Sequence, residues 1–400
     1  MHRGNGSPKL VLLIAAACLV GVTVAENASA QGLLKRWRER QQPATSTEKN
    51  ADAAKPSDGP AYDESKGYKL EDGPYAASEI DIELERKDGS KIPLKIRFPE
   101  KPNVGGEKIE IGADKLLPCV IFSHGAGGGS NAFPDLTEHL ATHGYVVVLP
   151  THRDSIKLRK DAGEKPRDLA NPSYVIKGVK PFERVEDCTL ILDSLDKIEA
   201  AIVPRMQMKV VKGEGDTAVK VIDREKLGIA GHSAGALTAQ LAIGAKARSL
   251  ESFQPKSYAQ TRFKSAVLIS GQGTKTRLFT EESWNEIDKP MLVISGTLDT
   301  VESTRDTPES RCEPFEFARP GQKYLVFIEG ATHSSYGGYA RMRSKSDEDV
   351  GDVGMISRVT TCSVHAFLDS TLMNDEKARA YLDSESLVEL SKGKTTYKRK

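Results

Sequence analysis

Short uninterrupted apolar runs alternate along this chain with segments whose apolar residues recur every three or four positions. Runs at 116–122, 145–149, 227–230, 266–270, 290–295 and 324–328 are four to seven residues long and rich in Val, Ile and Leu, the pattern of strands buried on both faces. Between them, 133–142, 182–201, the Ala/Leu-rich stretch ending at Ala245, 355–372 and 375–390 carry helical periodicity, with Val185, Cys188, Leu192 and Leu195 forming one stripe. Ahead of these, 80–86 and 92–98 alternate strictly (Ile80, Ile82, Leu84; Ile92, Leu94, Ile96) around Asp88-Gly89, which predicts an antiparallel hairpin at the sheet edge. Strands alternating with helices predict an α/β architecture, a mostly parallel sheet covered by helices on both faces. Residues 151–181 are the longest stretch without a pattern and are expected to wall the site.

The ends are patterned differently. Residues 1–30 have a basic start (Arg3, Lys9), an apolar run over 10–25 and Ala28-Ser29-Ala30, which predicts a cleaved export signal. A lipobox reading of Cys18 lacks the bulky aliphatic residue three places earlier. Residues 31–73 read as a disordered linker that opens on a basic patch from Lys35 to Arg40, 74–390 as one folded domain and 391–400 as a basic tail. The chain is expected to lie outside the cytoplasm, with no stable membrane span once the signal is removed.

Composition narrows the partners. With 57 basic against 56 acidic residues there is no excess charge to attract nucleic acid. Of the cysteines outside the signal, Cys119, Cys188 and Cys362 fall on apolar faces and read as buried thiols; a disulfide involving Cys312 is the alternative. No zinc-ligand spacing is read, and neither metal nor cofactor is expected. Oligomeric state is not encoded in any pattern.

The chemistry concentrates where predicted strands end. Gly231-His232-Ser233-Ala234-Gly235 stands between a strand and a helix, the setting of a nucleophile elbow that exposes the Ser233 hydroxyl. Asp299 and His333 each follow a strand, so all three converge at the carboxyl edge of a parallel sheet, in the order Ser, Asp, His. His333 would take the Ser233 proton and Asp299 would orient the imidazole. His152 and Asp154, just past another strand, are the rivals for base and acid; His232 is expected to point away beneath the sheet. The glycines at 125–129 allow backbone N–H groups to approach an anion, so Ala126 and Ala234 are the expected oxyanion donors. By loop position, Phe133, Gln272, Phe279, Trp284 and Tyr336 are expected to line a substrate pocket, and 271–290 has room for at most a small cap.

His124-Gly125-Ala126-Gly127-Gly128, the Ser233 elbow, Gly296-Thr297-Leu298-Asp299 and Gly330-Ala331-Thr332-His333 together resemble the α/β-hydrolase superfamily. Val120-Ile121-Phe122-Ser123-His124-Gly125 with His143-Gly144-Tyr145-Val146-Val147 is similar to its platelet-activating-factor acetylhydrolase-like, chlorophyllase-like and dienelactone-hydrolase-like branch, over residues 75–382. Dienelactone hydrolases use cysteine where Ser233 stands, and the chlorophyllase type carries a larger residue at Ala234. The resemblance implies the α/β-hydrolase fold and hydrolysis of a carboxylic ester, a small-molecule or lipid acyl ester, through an acyl-serine. Acyl transfer to an alcohol or amine, peptide cleavage, and a non-catalytic exported binding protein on the same scaffold are the alternatives.

Overall fold

The computed structural model describes residues 62–103, 110–111, 115–210, 219–248, 254–338 and 351–400. The expected signal, most of the linker and its basic patch lie outside the described residues.

Thirteen strands are described: β1 (Tyr75–Glu85), β2 (Lys91–Pro102), β3 (Glu110–Ile111), β4 (Leu117–Ser123), β5 (Val146–Pro150), β6 (Lys209–Val210), β7 (Ile222–His232), β8 (Ala247–Arg248), β9 (Pro255–Lys256), β10 (Ser265–Ile269), β11 (Met291–Leu298), β12 (Lys323–Thr332) and β13 (Thr395–Arg399). Nine make one sheet in the order β1-β2-β5-β4-β7-β10-β11-β12-β13. The six from β5 to β12 are parallel; β1, β2 and β13 run antiparallel to their neighbours. Every residue of β4, β5 and β10 is buried, as a strand covered on both faces requires. The period of two divides β4 between two cores. Cys119 and Ile121 pack with the helices Pro181–Asp193 and Ala234–Ile243, while Val120 and Phe122 pack on the other face with Pro134–Thr142 and Val353–Leu372. The hairpin has the expected register, with Ile80 opposite Ile96, Ile82 opposite Leu94 and Leu84 opposite Ile92.

The chain runs from β4 to β5 on one side and returns with β7 on the other, so the strand order reverses at β4. A crevice opens beyond the carboxyl ends at such a reversal. Register finishes the placement. Ser123 aligns with Gly231, Ile269 with His232 and Leu298 with Thr332, so the residues that follow each strand emerge side by side.

Several expectations are corrected. The linker does not extend to Gly73: Tyr68 is buried and donates to Asp369 at 2.8 Å, and Asp63 N–H donates to Leu390 O at 2.8 Å, so 62–73 belongs to the fold. The basic tail is not a tail, because Thr395–Arg399 pairs with Tyr324–Ile328 and completes the sheet. Residues 151–181 contain three short helices, Ile156–Asp161, Pro166–Leu169 and Pro172–Lys177, the last two begun by prolines whose fixed φ suits a first helical turn. The helix expected over 182–201 breaks at Ser194 into Pro181–Asp193 and Leu195–Ile202. The segment 271–290 forms no cap; its two 3-10 turns fold Phe279 and Trp284 down into the core. Cys119, Cys188, Cys312 and Cys362 are all buried and free. No helix among the described residues is long and apolar enough to cross a membrane.

Candidate active site

The elbow is forced by close packing. A Cβ on Gly235 would stand 1.8 Å from the Ser123 carbonyl oxygen, and one on Gly231 would stand 2.3 Å from the Gly235 carbonyl group. Only glycine lets β7, its turn and the buried helix Ala234–Ile243 cross β4 this closely. Ser233 pays in strain: its φ of +56° and ψ of −118° are rarely adopted by a side-chain-bearing residue and cost about 1–3 kcal/mol. Its N–H is anchored on Ile269 O at 2.9 Å.

The hydroxyl meets His333, whose Nε2 lies 3.0 Å from Ser233 Oγ. On the other side of the ring, Nδ1 lies 2.8 Å from Asp299 Oδ1. Asp299 is fully buried, yet its carboxylate accepts from three hydroxyls, Tyr336 OH at 2.7 Å, Ser270 Oγ at 2.9 Å and Ser295 Oγ at 3.2 Å, and pairs with the Arg311 guanidinium, whose Nε lies 3.1 Å from Oδ1. Burial alone would raise this carboxyl; the His333 bond, the Arg311 charge and Tyr336 outweigh it and hold it down at about 2. The group is an anion at neutral pH, and it fixes the imidazole with Nδ1–H toward it. Arg311 also donates to the carbonyls of Asp299, Ser270 and Gly271, tying together the ends of β10 and β11.

His232 differs from expectation. It turns toward the site, with Nε2 2.8 Å from the His333 carbonyl oxygen and its ring 4.8 Å from the His333 ring. Burial and the neighbouring His333 push it down to about 3, so it is neutral and donates Nε2–H to that carbonyl.

The 125–129 loop reaches Ser233. A Cβ on Gly125 would lie 3.6 Å from Ser233 Cβ and 3.3 Å from His232 Nδ1. The Ala126 N–H comes from this loop, and the Ala234 N–H from the first turn of the elbow helix. Beneath the loop lies a buried polar lattice. Arg184 grips Asp154 through two bonds, Nε to Oδ1 at 2.8 Å and Nη2 to Oδ2 at 2.6 Å. The same guanidinium donates to His124 O at 2.6 Å and Gly125 O at 3.2 Å, while Asp154 accepts from Gly127 N–H at 3.4 Å. Both side chains are 1% exposed. Burial would raise the Asp154 carboxyl, but Arg184 lowers it to about 2.

His152 is held in this lattice too, with Nε2 2.9 Å from Ser123 Oγ and Nδ1 2.8 Å from Asp187 Oδ2, and Asp187 is clamped by Arg86. The two rivals for base and acid therefore lie under the loop, away from Ser233.

The five expected pocket residues separate. Phe133, at φ +50°, sets its ring 5.2 Å from that of His232, at the site. Gln272 follows β10 and is buried, its backbone N–H and C=O both bonded to the Gln240 side chain. Tyr336 is buried and serves Asp299. Phe279 and Trp284 pack with each other and Phe317 inside the core and line nothing. Sequence reading missed Arg184, Ser270, Ser295 and Arg311. Arg184 alone carried a signal, a charge in register with Cys188 and Ile191 on an apolar helix face.

The family model described as platelet-activating factor acetylhydrolase, isoform II, matches residues 99–343. The platelet-activating factor acetylhydrolase of Cavia porcellus is 27% identical over 168 residues, 37% of this chain and 34% of that protein, so the chain spans about a third of that relative's length. A ferulic acid esterase from Streptomyces cinnamoneus superposes with a TM-score of 0.48 at 15% identity, over 77% of this chain and 93% of that one. The family match covers more than half of the 400 residues. The chain belongs to the platelet-activating factor acetylhydrolase, isoform II, family.

Proposed function

We propose that this chain is an exported serine esterase that cleaves carboxylic esters of short acyl groups, phospholipid acetyl esters among them. The observation that carries the reading is the unbroken line of contacts from Asp299 through His333 to Ser233. His333 Nε2 accepts the Ser233 proton as Oγ attacks the ester carbonyl carbon. The resulting oxyanion lies against the N–H groups of Ala126 and Ala234, each worth about 3–4 kcal/mol to the transition state. His333 then passes the proton to the departing alkoxide, leaving an acyl-serine. Water, deprotonated by the same imidazole, attacks that ester, and the proton returns to Ser233 Oγ as the acid leaves. Asp299 stays ionised throughout and stabilises the imidazolium. The acetyl preference is drawn from the family description and from Phe133, whose ring crowds His232 beside the nucleophile. Export is drawn from the patterned first 30 residues.

The test is labelling with a fluorophosphonate, peptide mapping, and p-nitrophenyl esters of increasing acyl length. One adduct on Ser233 is expected, with kcat/KM falling as the acyl chain grows, and Ser233→Ala is expected to lose about 10⁶ in kcat. Esterase activity retained by that variant refutes the assignment. A rise in kcat/KM toward long acyl chains refutes the acetyl preference alone.

A further inference from the structure

We propose that His139, His143 and His365 form a binding site for a single divalent transition-metal ion of the zinc class, separate from Ser233. His139 and His143 are four residues apart at the end of the helix Pro134–Thr142, hence on one face, and His365 comes from the facing helix Val353–Leu372. Their ligand nitrogens all lie within 4.8 Å of one another. Phe133, at the other end of the first helix, abuts the candidate active site; at 1.5 Å per residue, His143 is about 15 Å farther along the axis.

Each imidazole is set for a ligand role. His143 Nε2 lies 3.0 Å from the Glu71 carbonyl oxygen and donates to it, which leaves Nδ1 with a free lone pair. His139 Nε2 and His365 Nδ1 face each other at 2.9 Å. His365 is completely buried, and its Nε2 makes no hydrogen bond; it stands 3.4 Å from Asp369 Oδ2. Binding an ion through Nδ1 would place the remaining Nε2–H toward that carboxylate, the arrangement that orients histidine ligands in metal proteins. Asp369 is itself held by Tyr68 OH at 2.8 Å and Tyr145 OH at 2.7 Å. Lys69 is close by, and its ammonium is neutralised by Asp369 and Asp375. Burial lowers all three histidines, His139 to about 4, so each is the neutral base that a metal requires.

Three imidazoles without a thiolate suit Zn²⁺, Ni²⁺ or Cu²⁺, with water in a fourth position. His143, half-buried, opens the site to solvent. The bound ion would join both helices and, through Glu71, the 62–73 segment. It is a staple, and ester hydrolysis at Ser233 does not depend on it.

The experiment uses untagged protein stripped with a chelator, then titrated with ZnCl₂ by calorimetry. One equivalent is expected to bind with micromolar or tighter affinity and to raise the unfolding midpoint. His143→Ala and His143→Gln, the latter able to keep the bond to Glu71 O, are each expected to weaken binding at least 100-fold, leaving metal-free esterase activity unchanged. X-ray absorption of the zinc form should show three imidazoles at about 2.0 Å. Equal binding by wild type and both variants, or fewer than three imidazoles, overturns the proposal. Zinc that blocks hydrolysis equally in His143→Gln sits on His333 instead, and overturns it as well.

Discussion

Arg184→Met tests whether the buried lattice sets the 125–129 loop. Methionine keeps the length of the side chain and removes its charge. Asp154, 1% exposed, then loses its only ion-pair partner among the described residues. Breaking such a pair costs about 3–5 kcal/mol, a large part of the roughly 5–15 kcal/mol that holds a domain folded. The His124 carbonyl loses its Arg184 donor at the same time and the Gly125 carbonyl keeps only Gly128 N–H and His124 Nδ1, so the chain leading into Ala126 is loosened. Loss of one aligned oxyanion donor lowers kcat about 10²–10³-fold. Arg184→Met/Asp154→Leu separates the two effects, because replacing both charges with apolar groups restores most of the stability while leaving the His124 carbonyl without its Arg184 donor. Urea unfolding followed by circular dichroism, with p-nitrophenyl acetate kinetics at a urea concentration of zero, gives both quantities for the four members of the cycle. The double variant is expected to be stable and slow. If it regains wild-type kcat along with its stability, the lattice supports folding alone. If Arg184→Met unfolds within about 1 kcal/mol of wild type, the pair carries little of the load assigned to it.

Two further outcomes are expected. Gly235→Ala drives a methyl group into the Ser123 carbonyl, so it should cost about 3 kcal/mol or more and leave little folded protein, read by solubility and unfolding midpoint; a soluble, stable Gly235→Ala would refute the packing given for the elbow. Mild acid should destabilise the metal-free fold. His124, His139, His152, His232 and His365 are lowered by burial from 6.5, so the unfolded chain takes up protons that the folded chain refuses. The stability they contribute is full above pH 6.5 and is lost as pH falls, toward about 4 for His139 and about 3 for His232, at up to about 1.4 kcal/mol per pH unit for each. Asp154 and Asp299, lowered to about 2, lose theirs only below 3.8. An unfolding midpoint that is flat from pH 7 to pH 5 would contradict this.

The parallel strands and the residues that follow them could be read from sequence because burial on both faces leaves uninterrupted Val, Ile and Leu, and because a parallel sheet delivers every strand's end to one edge. Ser233, Asp299 and His333 inherit their meeting place from that rule. The last strand could not be read this way, since Thr395–Arg399 pairs only along one edge and keeps a polar sequence. Tyr68 and Asp63 gave no periodicity, because 62–73 is held by single contacts rather than by a face. Phe279 and Trp284 were placed by proximity in sequence to a strand end, and the 3-10 turns carry them inward instead. Arg184, Ser270, Ser295 and Arg311 act through contacts between distant segments, which no local pattern records. The His139, His143 and His365 cluster left no spacing to read, because His365 lies 226 residues from His139 and only the fold brings them together.

Ser233, Asp299 and His333 end three different strands, and β10, lying between two of them, supplies the Ser270 hydroxyl that touches both Asp299 and His333. Each of these parallel pairings closes a long loop of chain, the slowest kind of contact to form. No fragment or half-formed sheet can hold the three groups together. Under the proposed mechanism, turnover is therefore a clock for the end of folding: it begins only when β7, β10, β11 and β12 lie in register, after most helical structure has formed.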